Sequence, residues 1–441
     1  MRAFLTTLFR RLLKIYYRRI EVVGVHNIPS DAPVVFAVNH PNGLVDPLFI
    51  LGFVPRRVSF LAKAPLFTMP IIGYFVRVFD SVPVYRKQDN VAGTHAETFA
   101  RAREILSSGG AIAIFPEGTT HSDTRLREFK TGAARIAIGS SLPGMTIVPA
   151  GIYYTEKQTF RSKALIAFGE PLQVSHGFPA TPGGEPPHED VRELTERIET
   201  ALTALTLEAD SHAALELVSH AEDIFTSEAD QPLAEELELR RRFIVGYHVL
   251  RDRDPQRLAR LESEIRRFVS ELRSAGIEPH ELRPQIDVGL VVRVLLLLPL
   301  AAAGTIAHYI PYRIVDLLAR RFSRGASELT ATVKFVSALA IYPISWLVVA
   351  AAVWQFWGAA FAFAVLFALP ILGYAALRLM EELDDAIGRG RALFHRLFSR
   401  DTHQHLIEQR RAIRREIASL ETLVDARPSE LDVSFGPSTR K

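Results

Sequence analysis

Residues 335–377 of this chain carry no formal charge. The stretch is long enough for two membrane-spanning helices of about 20 residues each. Gln355 and Gly358, each beside a tryptophan, lie near its middle, and a polar break flanked by aromatic residues is typical of a turn at a membrane interface. The sequence therefore predicts a transmembrane helical hairpin over residues 335–377. The mean hydropathy of +0.12 agrees with a chain that is partly buried in lipid.

A shorter uncharged segment, residues 294–312, precedes the hairpin and contains two prolines. An arginine-rich loop follows it, and the chain beyond Arg378 is rich in arginine too. Basic residues favour the cytoplasmic side, so both ends of the hairpin are predicted to face the cytoplasm. Residues 286–334 are then predicted to be a re-entrant or membrane-associated segment with a basic loop. Residues 378–441 are predicted to be a cytoplasmic helical tail with a disordered C-terminus.

Residues 1–20 hold six basic side chains and no acidic one. Leu5, Leu8, Phe9 and Leu12 recur at helical spacing and form an apolar stripe flanked by cations. Such a stripe is typical of a basic amphipathic helix in a membrane interface. A helix packed on its own domain explains the stripe equally well, and both alternatives stay open.

Residues 21–176 alternate short apolar or β-branched runs with helix-like stretches, which is the pattern of an α/β domain. Residues 177–189 are rich in proline and glycine without periodicity, and they are predicted to be a linker. Residues 190–285 mix charged and apolar residues at helical spacing. They are predicted to form a helical accessory region, to which no chemistry can be assigned.

The chain has no cysteine, which excludes disulfides, thiolate metal sites and thiol nucleophiles. Its formal net charge of +3 is too small to indicate a nucleic-acid partner. Any claim about partners therefore depends on the distribution of charge and on individual residues.

His40 follows an apolar strand-like run, and α/β sheets commonly place reactive groups at the carboxyl end of a strand. Asp46 comes six residues later, and the intervening Pro-Asn-Gly supplies turn residues that let the two side chains meet. An imidazole oriented by a carboxylate is a general base for a hydroxyl group. The pair alone is a weak signal, because a helix cap and a surface histidine give the same residues.

A second apolar run leads into a polar turn that opens with Glu117 and continues through Gly118 and Thr119. The backbone N–H groups and hydroxyls of such a turn can hold an anion. Lys63 and Arg86 end other short strand-like runs, and both side chains are long enough to reach a phosphate. Each cation taken alone is better explained as a solvated surface charge.

The order and combination of six patterns is far more specific: NHPNGLVDP, FLAKAPLF, PVYRK, FPEGTTHSD, FKTGAA and VPAGIYY. Together they resemble the glycerolipid acyltransferase family, over roughly residues 20–175. That family transfers fatty acyl groups from a coenzyme A or carrier-protein thioester to hydroxyls of glycerol phosphate or lysophospholipids. The resemblance implies an α/β catalytic domain with a central mixed sheet, followed by a helical region and C-terminal membrane helices.

The resemblance also implies roles for individual residues. By matching position, His40 is the base that deprotonates the acceptor hydroxyl, and Asp46 is its orienting partner. Pro149 matches a position usually connected with the acyl donor. Positions that bind the phosphoglycerol part of the acceptor are matched by Arg86, Glu117, Gly118 and Thr119.

Two departures from the family pattern bear on the acceptor. Five residues separate His40 from Asp46 where four are usual, and Thr120 stands where an arginine is usual. The longer spacing is similar to a branch that includes fungal glycerol-3-phosphate and dihydroxyacetone-phosphate acyltransferases, which take unacylated acceptors. The missing arginine leaves the phosphate contact to other cations, of which the candidates are Arg86, Arg125 and Lys130.

The predicted function is acyl transfer from acyl-CoA or acyl carrier protein to glycerol 3-phosphate or dihydroxyacetone phosphate, on the cytoplasmic side of a membrane. A thioester is already activated, so no metal, bound cofactor or acyl-enzyme is required. The expected partners are membrane lipids, acyl-CoA, and glycerol 3-phosphate or lysophosphatidic acid. Two alternatives stay open: a 1-acylglycerol-3-phosphate acyltransferase, and a non-catalytic lipid-binding scaffold in the membrane.

Overall fold

The computed structural model describes residues 1–85, 94–175, 186–226, 232–282, 288–323 and 326–424. Within these ranges one sheet of eight strands lies at the centre of the N-terminal domain. The strands are β1 (Arg19–Val23), β2 (Val34–Val38), β3 (Val58–Lys63), β4 (Val82–Val84), β5 (Ala111–Ile114), β6 (Thr146–Tyr154), β7 (Lys163–Phe168) and β8 (Leu172–Gln173).

The strand order is β1-β7-β6-β2-β5-β3-β4, and β8 pairs with β6. β2 runs parallel to both β5 and β6, β5 runs parallel to β3, and β3 runs parallel to β4. β7 runs antiparallel to β6, so the prediction of a mixed sheet is confirmed. Because parallel strands end at the same edge, the segments that follow β2, β3, β5 and β6 meet there.

β2 lies in the middle of the sheet, and all five of its side chains are buried. A strand covered on both faces has a continuous apolar sequence, which explains the run from Val34 to Val38. Val34, Phe36 and Val38 belong to one core, whereas Val35 and Ala37 belong to another. The sheet is therefore the middle layer of three.

Helices cover both faces of the sheet. The first face carries α1 (Arg2–Tyr16), α2 (Val45–Phe53) and α3 (Pro70–Val78). The second carries α4 (His95–Ser107), α5 (Gly132–Ser140) and α6 (His188–Thr203). Val191 and Leu194 of α6 are buried in that second core, so the predicted start of a separate accessory region at residue 190 is wrong by one helix. Helical spacing identifies an apolar face but not the surface on which it packs.

α1 packs on its own domain. Phe9, Leu13 and Tyr16 are buried, and the ring centroid of Phe9 lies 5.6 Å from that of Phe75 on α3. Of the two alternatives for the apolar stripe, packing on the protein's own domain therefore applies to Phe9, Leu13 and Tyr16. Phe4, outside the stripe, is 69% exposed, and the position of α1 in a membrane interface stays a prediction.

The accessory helices form a bundle of their own. α7 (His212–Phe225), α8 (Leu233–Arg253) and α9 (Pro255–Ala275) share one apolar core with α13 (Arg400–Val424). The helical tail predicted over residues 378–441 is thus, in its α13 part, a member of this bundle, with Leu406 and Ile413 buried in the core. The predicted disordered C-terminus lies outside the described residues.

α10 (Val288–Ser323), α11 (Ser327–Trp357) and α12 (Ala359–Phe398) are each long and apolar enough to cross a membrane. α11 and α12 form the predicted hairpin and turn at Gly358, whose φ of +84° a residue with a side chain rarely adopts. α10 is one continuous helix through Pro299 and Pro311, and the re-entrant or membrane-associated position of this segment stays a prediction. A proline inside a helix leaves one backbone carbonyl without its N–H partner. α10 packs on α11 and α12, and such packing makes prolines tolerable because neighbouring helices help to satisfy the freed carbonyls.

Candidate active site

His40 and Asp46 meet at the carboxyl end of β2. His40 Nδ1 lies 2.9 Å from Asp46 Oδ2. The backbone N–H of Asn42 donates to the same oxygen at 2.7 Å, which closes the turn between the two residues. Asp46 lies in the first turn of α2, where the helix dipole favours a negative charge. The predicted contact between the two side chains is therefore formed by a turn followed by a helix start.

The Asp46 carboxylate is fully buried and its hydrogen bonds fix the tautomer of His40. Its second oxygen accepts the Tyr154 hydroxyl at 2.6 Å. Burial and the neighbouring carboxylate both raise the pKa of Tyr154, so its hydroxyl stays protonated and donates. Because an ionised carboxylate only accepts, we assign the proton of the neutral imidazole to Nδ1. Nε2 is then unprotonated, and no hydrogen bond to it comes from the part of the chain that the structure describes.

Two contacts fix the plane and position of the imidazole. The His40 ring stacks on Phe115 with centroids 4.0 Å apart and an interplanar angle of 19°. The adjacent Asn39 is buried, and its amide donates to Ile152 O at 3.0 Å and accepts from Ile152 N at 2.7 Å. The end of β2 is thereby tied to β6, and the His40 side chain, 16% exposed, opens toward solvent from a rigid support.

Glu117 joins the two turns of the site. Its carboxylate accepts the His40 backbone N–H at 2.9 Å and the Arg127 N–H at 3.1 Å, and it also accepts the Nε2–H of His121. The Asp123 N–H donates to His121 Nδ1, which leaves the proton of the neutral ring on Nε2. The Glu117 side chain is fully buried, and its negative charge would repel a phosphate. The Glu117 carboxylate is thus engaged by three donors of the protein, and its direct contact with the acceptor stays a prediction.

The turn after β5 leaves room for one lysine. Gly118 has a φ of +70°, and a β-carbon at this position would lie only 2.6 Å from Lys130 Nζ. A glycine therefore lets the Lys130 ammonium lie directly over the turn. Lys130 is exposed and Thr119 is half-buried, so both are accessible to a ligand at this edge of the sheet.

The other predicted cations differ in their surroundings. Arg125 pairs with Asp210, which lies in the segment before α7, so this guanidinium is already engaged. Lys63 is exposed at the end of β3, at the same sheet edge as His40 but two strands away. Arg86 lies outside the described residues. Among the candidates to replace the missing arginine, Lys130 is the one that the structure places over the turn.

The sequence alone assigned no role in the site to Tyr154, Asn42 or His121. A signal existed for Tyr154, because it is the last residue of β6, the strand adjacent to β2. For His121 the signal was its position four residues after Glu117 in the same polar turn. Within the described residues, no group of three or more His, Asp or Glu side chains is arranged to hold a metal ion.

Comparison with known proteins adds three findings. A family model described as acyltransferase matches residues 19–153. Glycerol-3-phosphate O-acyltransferase 1 of Saccharomyces cerevisiae is 24% identical, with 77% of this chain and 58% of the yeast protein aligned. The 1-acyl-sn-glycerol-3-phosphate acyltransferase of Bacillus subtilis is 30% identical, with 35% of this chain and 73% of that protein aligned. The chain thus spans less than two thirds of the length of the yeast relative.

The matched segment contains the strands from β1 to β5 and most of β6, the His40–Asp46 pair and the Glu117 turn. The bacterial relative is matched over nearly three quarters of its length, which leaves little of it outside the similarity. The fold, the sequence patterns and these matches agree: the chain belongs to the acyltransferase family.

Proposed function

We propose that this protein transfers an acyl group from a thioester to a hydroxyl of a phosphorylated glycerol. The observation that carries the proposal is the His40–Asp46 pair, in which Nδ1 donates to the carboxylate and Nε2 is left to accept a proton. Proton transfer to a positioned base contributes about 10² to 10⁴ in rate. A scaffold without catalysis has no need of this arrangement.

The reaction needs one base and no intermediate on the protein. The acceptor hydroxyl gives its proton to His40 Nε2 while its oxygen bonds to the thioester carbonyl carbon. The carbon–sulfur bond then breaks, and the departing thiolate takes the proton from the imidazolium. Asp46 stabilises the imidazolium between the two steps, and its burial strengthens that interaction. The products are an ester and a free thiol.

Glycerol 3-phosphate or dihydroxyacetone phosphate is our proposed acceptor. The similarity to the yeast glycerol-3-phosphate O-acyltransferase extends over 77% of this chain, which is far more than the catalytic domain. The segment before α7 contacts the loop after β5 directly: the Ala209 N–H donates to Thr124 O at 3.0 Å, and Asp210 pairs with Arg125. Lys130 over the Gly118 turn supplies the cation for the phosphate.

A second candidate acceptor is 1-acylglycerol 3-phosphate. It is favoured by the similarity to the Bacillus subtilis enzyme, which acts on that lysolipid according to its name and is 30% identical. The same base and the same cation would serve both acceptors, because they share the phosphoglycerol part. The two candidates therefore differ in the step of phospholipid synthesis and not in the chemistry.

Membrane attachment follows from the exposed apolar helices. Ile306, Phe356 and Phe367 are each more than 70% exposed. Surfaces that face water rarely expose apolar side chains along whole helices. Thr332 near the start of α11 contacts Leu44, and Glu381 of α12 pairs with Arg161 at 2.5 Å, so both ends of the hairpin lie on the catalytic domain. α11 and α12 are then the two crossings, with the catalytic domain on the arginine-rich, cytoplasmic side.

α10 starts and ends on that same side. Leu282 is buried in the accessory bundle, and the few residues from there to Val288 extend at most about 20 Å. A hydrocarbon core is about 30 Å thick, so this connection cannot reach the far side. The equally short connection from α10 to α11 ends beside the catalytic domain. We therefore propose that α10 enters the membrane without a complete crossing, in keeping with the re-entrant or membrane-associated prediction for this segment.

The experiment uses the absence of cysteine. Release of free coenzyme A from an acyl-CoA is followed with a thiol reagent, because the protein contributes no thiol of its own. Glycerol 3-phosphate, dihydroxyacetone phosphate and 1-acylglycerol 3-phosphate are compared as acceptors. His40→Ala is the test variant, and His26→Ala, an exposed histidine of the same domain, is its control.

Turnover with an unacylated acceptor that is lost in His40→Ala and kept in His26→Ala would support the proposal. Turnover with the lysolipid alone would select the second candidate. The assay is repeated with an acyl carrier protein as donor, and the acylated product is followed by mass spectrometry. Absence of product with every donor and acceptor would overturn the proposed function.

A further inference from the structure

The turn that carries His40 and Asp46 is held by a membrane helix. The Leu44 N–H donates to Thr332 Oγ1 at 3.0 Å, over a separation of 288 residues in the chain. Leu44 is the residue that precedes α2, and the N–H groups at a helix start have no partner inside the helix. Asp46 lies in the turn that begins there. At the start of many helices a side chain of the same segment accepts a hydrogen bond from such an N–H group. Here the acceptor is Thr332, which belongs to a different helix, α11.

The contact depends on a glycine. A β-carbon on Gly43 would lie 2.6 Å from Thr332 Oγ1 and 3.2 Å from the carbonyl oxygen of Glu328. Below this contact Ala331 and Phe335 are buried in the core of the catalytic domain, and the Phe335 ring centroid lies 5.9 Å from that of Tyr16. The first turns of α11 thus contribute buried side chains to the core of the catalytic domain.

The same turns of α11 also reach the second loop of the site. Ser122, five residues after Glu117, donates its hydroxyl to Glu328 at 3.2 Å and accepts from Lys157 Nζ at 2.7 Å. Lys334 Nζ donates to Gln158 O at 2.9 Å. One short segment of α11 therefore contacts the loop after β2, the loop after β5 and the connection between β6 and β7.

We propose that Thr332 is a positioning residue. Through it, the docking of α11 on the catalytic domain determines the geometry of the His40–Asp46 pair. The contact lies three residues before the uncharged stretch begins, which is about 5 Å along the helix axis. A catalytic turn built in this way is complete only when the membrane helix is docked. The proposal rests on the proposed function for its catalytic meaning, and on the Leu44–Thr332 hydrogen bond for its structural content.

The test compares three variants of the full-length protein. Thr332→Val keeps the shape of the side chain and removes the acceptor, whereas Thr332→Ser keeps the hydroxyl. Thr330→Val, two residues earlier, is the control, because Thr330 Oγ1 bonds only to the carbonyl of Ala326 in its own helix among the contacts described. We expect kcat to fall about tenfold or more in Thr332→Val, with the KM of the acceptor changed less than about twofold. Thr332→Ser and Thr330→Val should stay within about threefold of wild type.

A second readout does not need activity. Amide hydrogen exchange at Leu44, followed by mass spectrometry on peptides that cover residues 42–48, should become faster in Thr332→Val and not in the other two variants. Wild-type exchange in Thr332→Val, or full turnover of that variant beside an active wild type, would overturn the role of Thr332. Equal loss in Thr332→Ser and Thr332→Val would overturn it too, because the hydroxyl would then not matter. An inactive wild type would instead overturn the proposed function.

Discussion

The Tyr154 hydroxyl donates to Asp46 Oδ1 at 2.6 Å, so the last residue of β6 holds the carboxylate that orients a histidine after β2. Replacing Tyr154 with phenylalanine leaves one oxygen of a fully buried carboxylate without a donor. We expect kcat of Tyr154→Phe to fall about tenfold.

Replacing Asp46 with asparagine should lower kcat by a factor of about 10² to 10⁴, because an amide cannot accept hydrogen bonds from all three donors.

The matched control for this pair is Tyr153→Phe. Tyr153 is the neighbouring residue, its hydroxyl accepts from Arg240 at 2.7 Å, and its ring points away from Asp46 on the other face of β6. Steady-state kinetics with the preferred acceptor should show Tyr153→Phe within about twofold of wild type. A larger loss in Tyr153→Phe than in Tyr154→Phe would contradict the assignment.

Glu117→Gln should impair the site without weakening acceptor binding. The amide nitrogen would face either the His40 N–H or the donors from His121 and Arg127, so one buried pair becomes donor against donor. We expect kcat to fall about tenfold or more and the thermal unfolding midpoint to drop, with an acceptor KM within about twofold of wild type. Glu128→Gln, an exposed position on the same loop, is the control. A rise in acceptor KM at unchanged kcat would instead indicate direct contact of Glu117 with the substrate.

Lys130→Gln should weaken binding of the acceptor and leave the His40 base unaffected. Its ammonium lies over the Gly118 turn, and loss of a charged hydrogen bond to a phosphate costs about 1.5–3 kcal/mol. We expect the acceptor KM to rise about tenfold, with a smaller dependence on salt than in wild type. Arg125→Gln, whose side chain pairs with Asp210, should change KM less than about threefold. Equal effects of the two variants would show that position over the turn does not matter.

Glu236→Gln tests a buried charge cluster between β6 and the accessory helices. Glu236 bonds to Arg240 at 3.0 Å, and burial raises the pKa of its carboxyl although Arg240 opposes the shift. A raised pKa means that the folded state holds the proton more tightly, so ionisation costs stability as the pH rises from about 4.5 through the raised value. The free energy of unfolding of wild type should therefore fall relative to that of Glu236→Gln over that window, by about 1.4 kcal/mol for each unit by which the pKa is raised.

Thermal unfolding in detergent, measured at several pH values, checks this prediction. Glu235→Gln is the control, because Glu235 is the exposed neighbour on the same helix. A difference in stability between Glu236→Gln and wild type that does not change with pH would show that the Glu236 carboxyl is not perturbed in the folded state.

Gly304→Ala should loosen the packing of the membrane helices. A β-carbon at Gly304 would lie 2.1 Å from the carbonyl oxygen of Leu372 on α12, which leaves no room without a backbone shift. Gly390→Ala in α12 meets nothing within 4 Å and should be neutral or stabilising by up to about 1 kcal/mol. Unfolding midpoints of the two variants in the same detergent make the comparison, and a Gly304→Ala protein as stable as wild type would contradict the close approach.

The strands, the hairpin and the His40–Asp46 contact were all predictable, because each depends on neighbours in the sequence. A buried central strand has an apolar run, and a Pro-Asn-Gly turn brings two nearby side chains together. The hydrogen bonds of Glu117 were not predictable, for the opposite reason. Its residue type suits both an anion site and a buried tie between loops, and only the distances to His40, His121 and Arg127 distinguish the two.

Thr332 and the packing of α6 and α13 depend on tertiary contacts that no local pattern encodes. Thr332 contacts a turn 288 residues away, and its own surroundings in the sequence are those of an ordinary helix start. The apolar stripe of α13 predicts a helix, but it does not name α7 and α9 as the partners. For such helices the spacing of hydrophobic residues predicts the helix but not the surface on which it packs.

The position of α13 in the accessory bundle sets an order of events during synthesis. α7, α8 and α9 leave the ribosome before the membrane helices, but their shared core also needs Leu406, Ile413 and Ile417 from α13. A nascent chain that has not yet inserted α11 and α12 therefore exposes the apolar sides of three finished helices. The bundle closes last, after the hairpin has brought the chain back to the side from which it started, and a chain whose hairpin fails to insert keeps that surface open to chaperones and proteases.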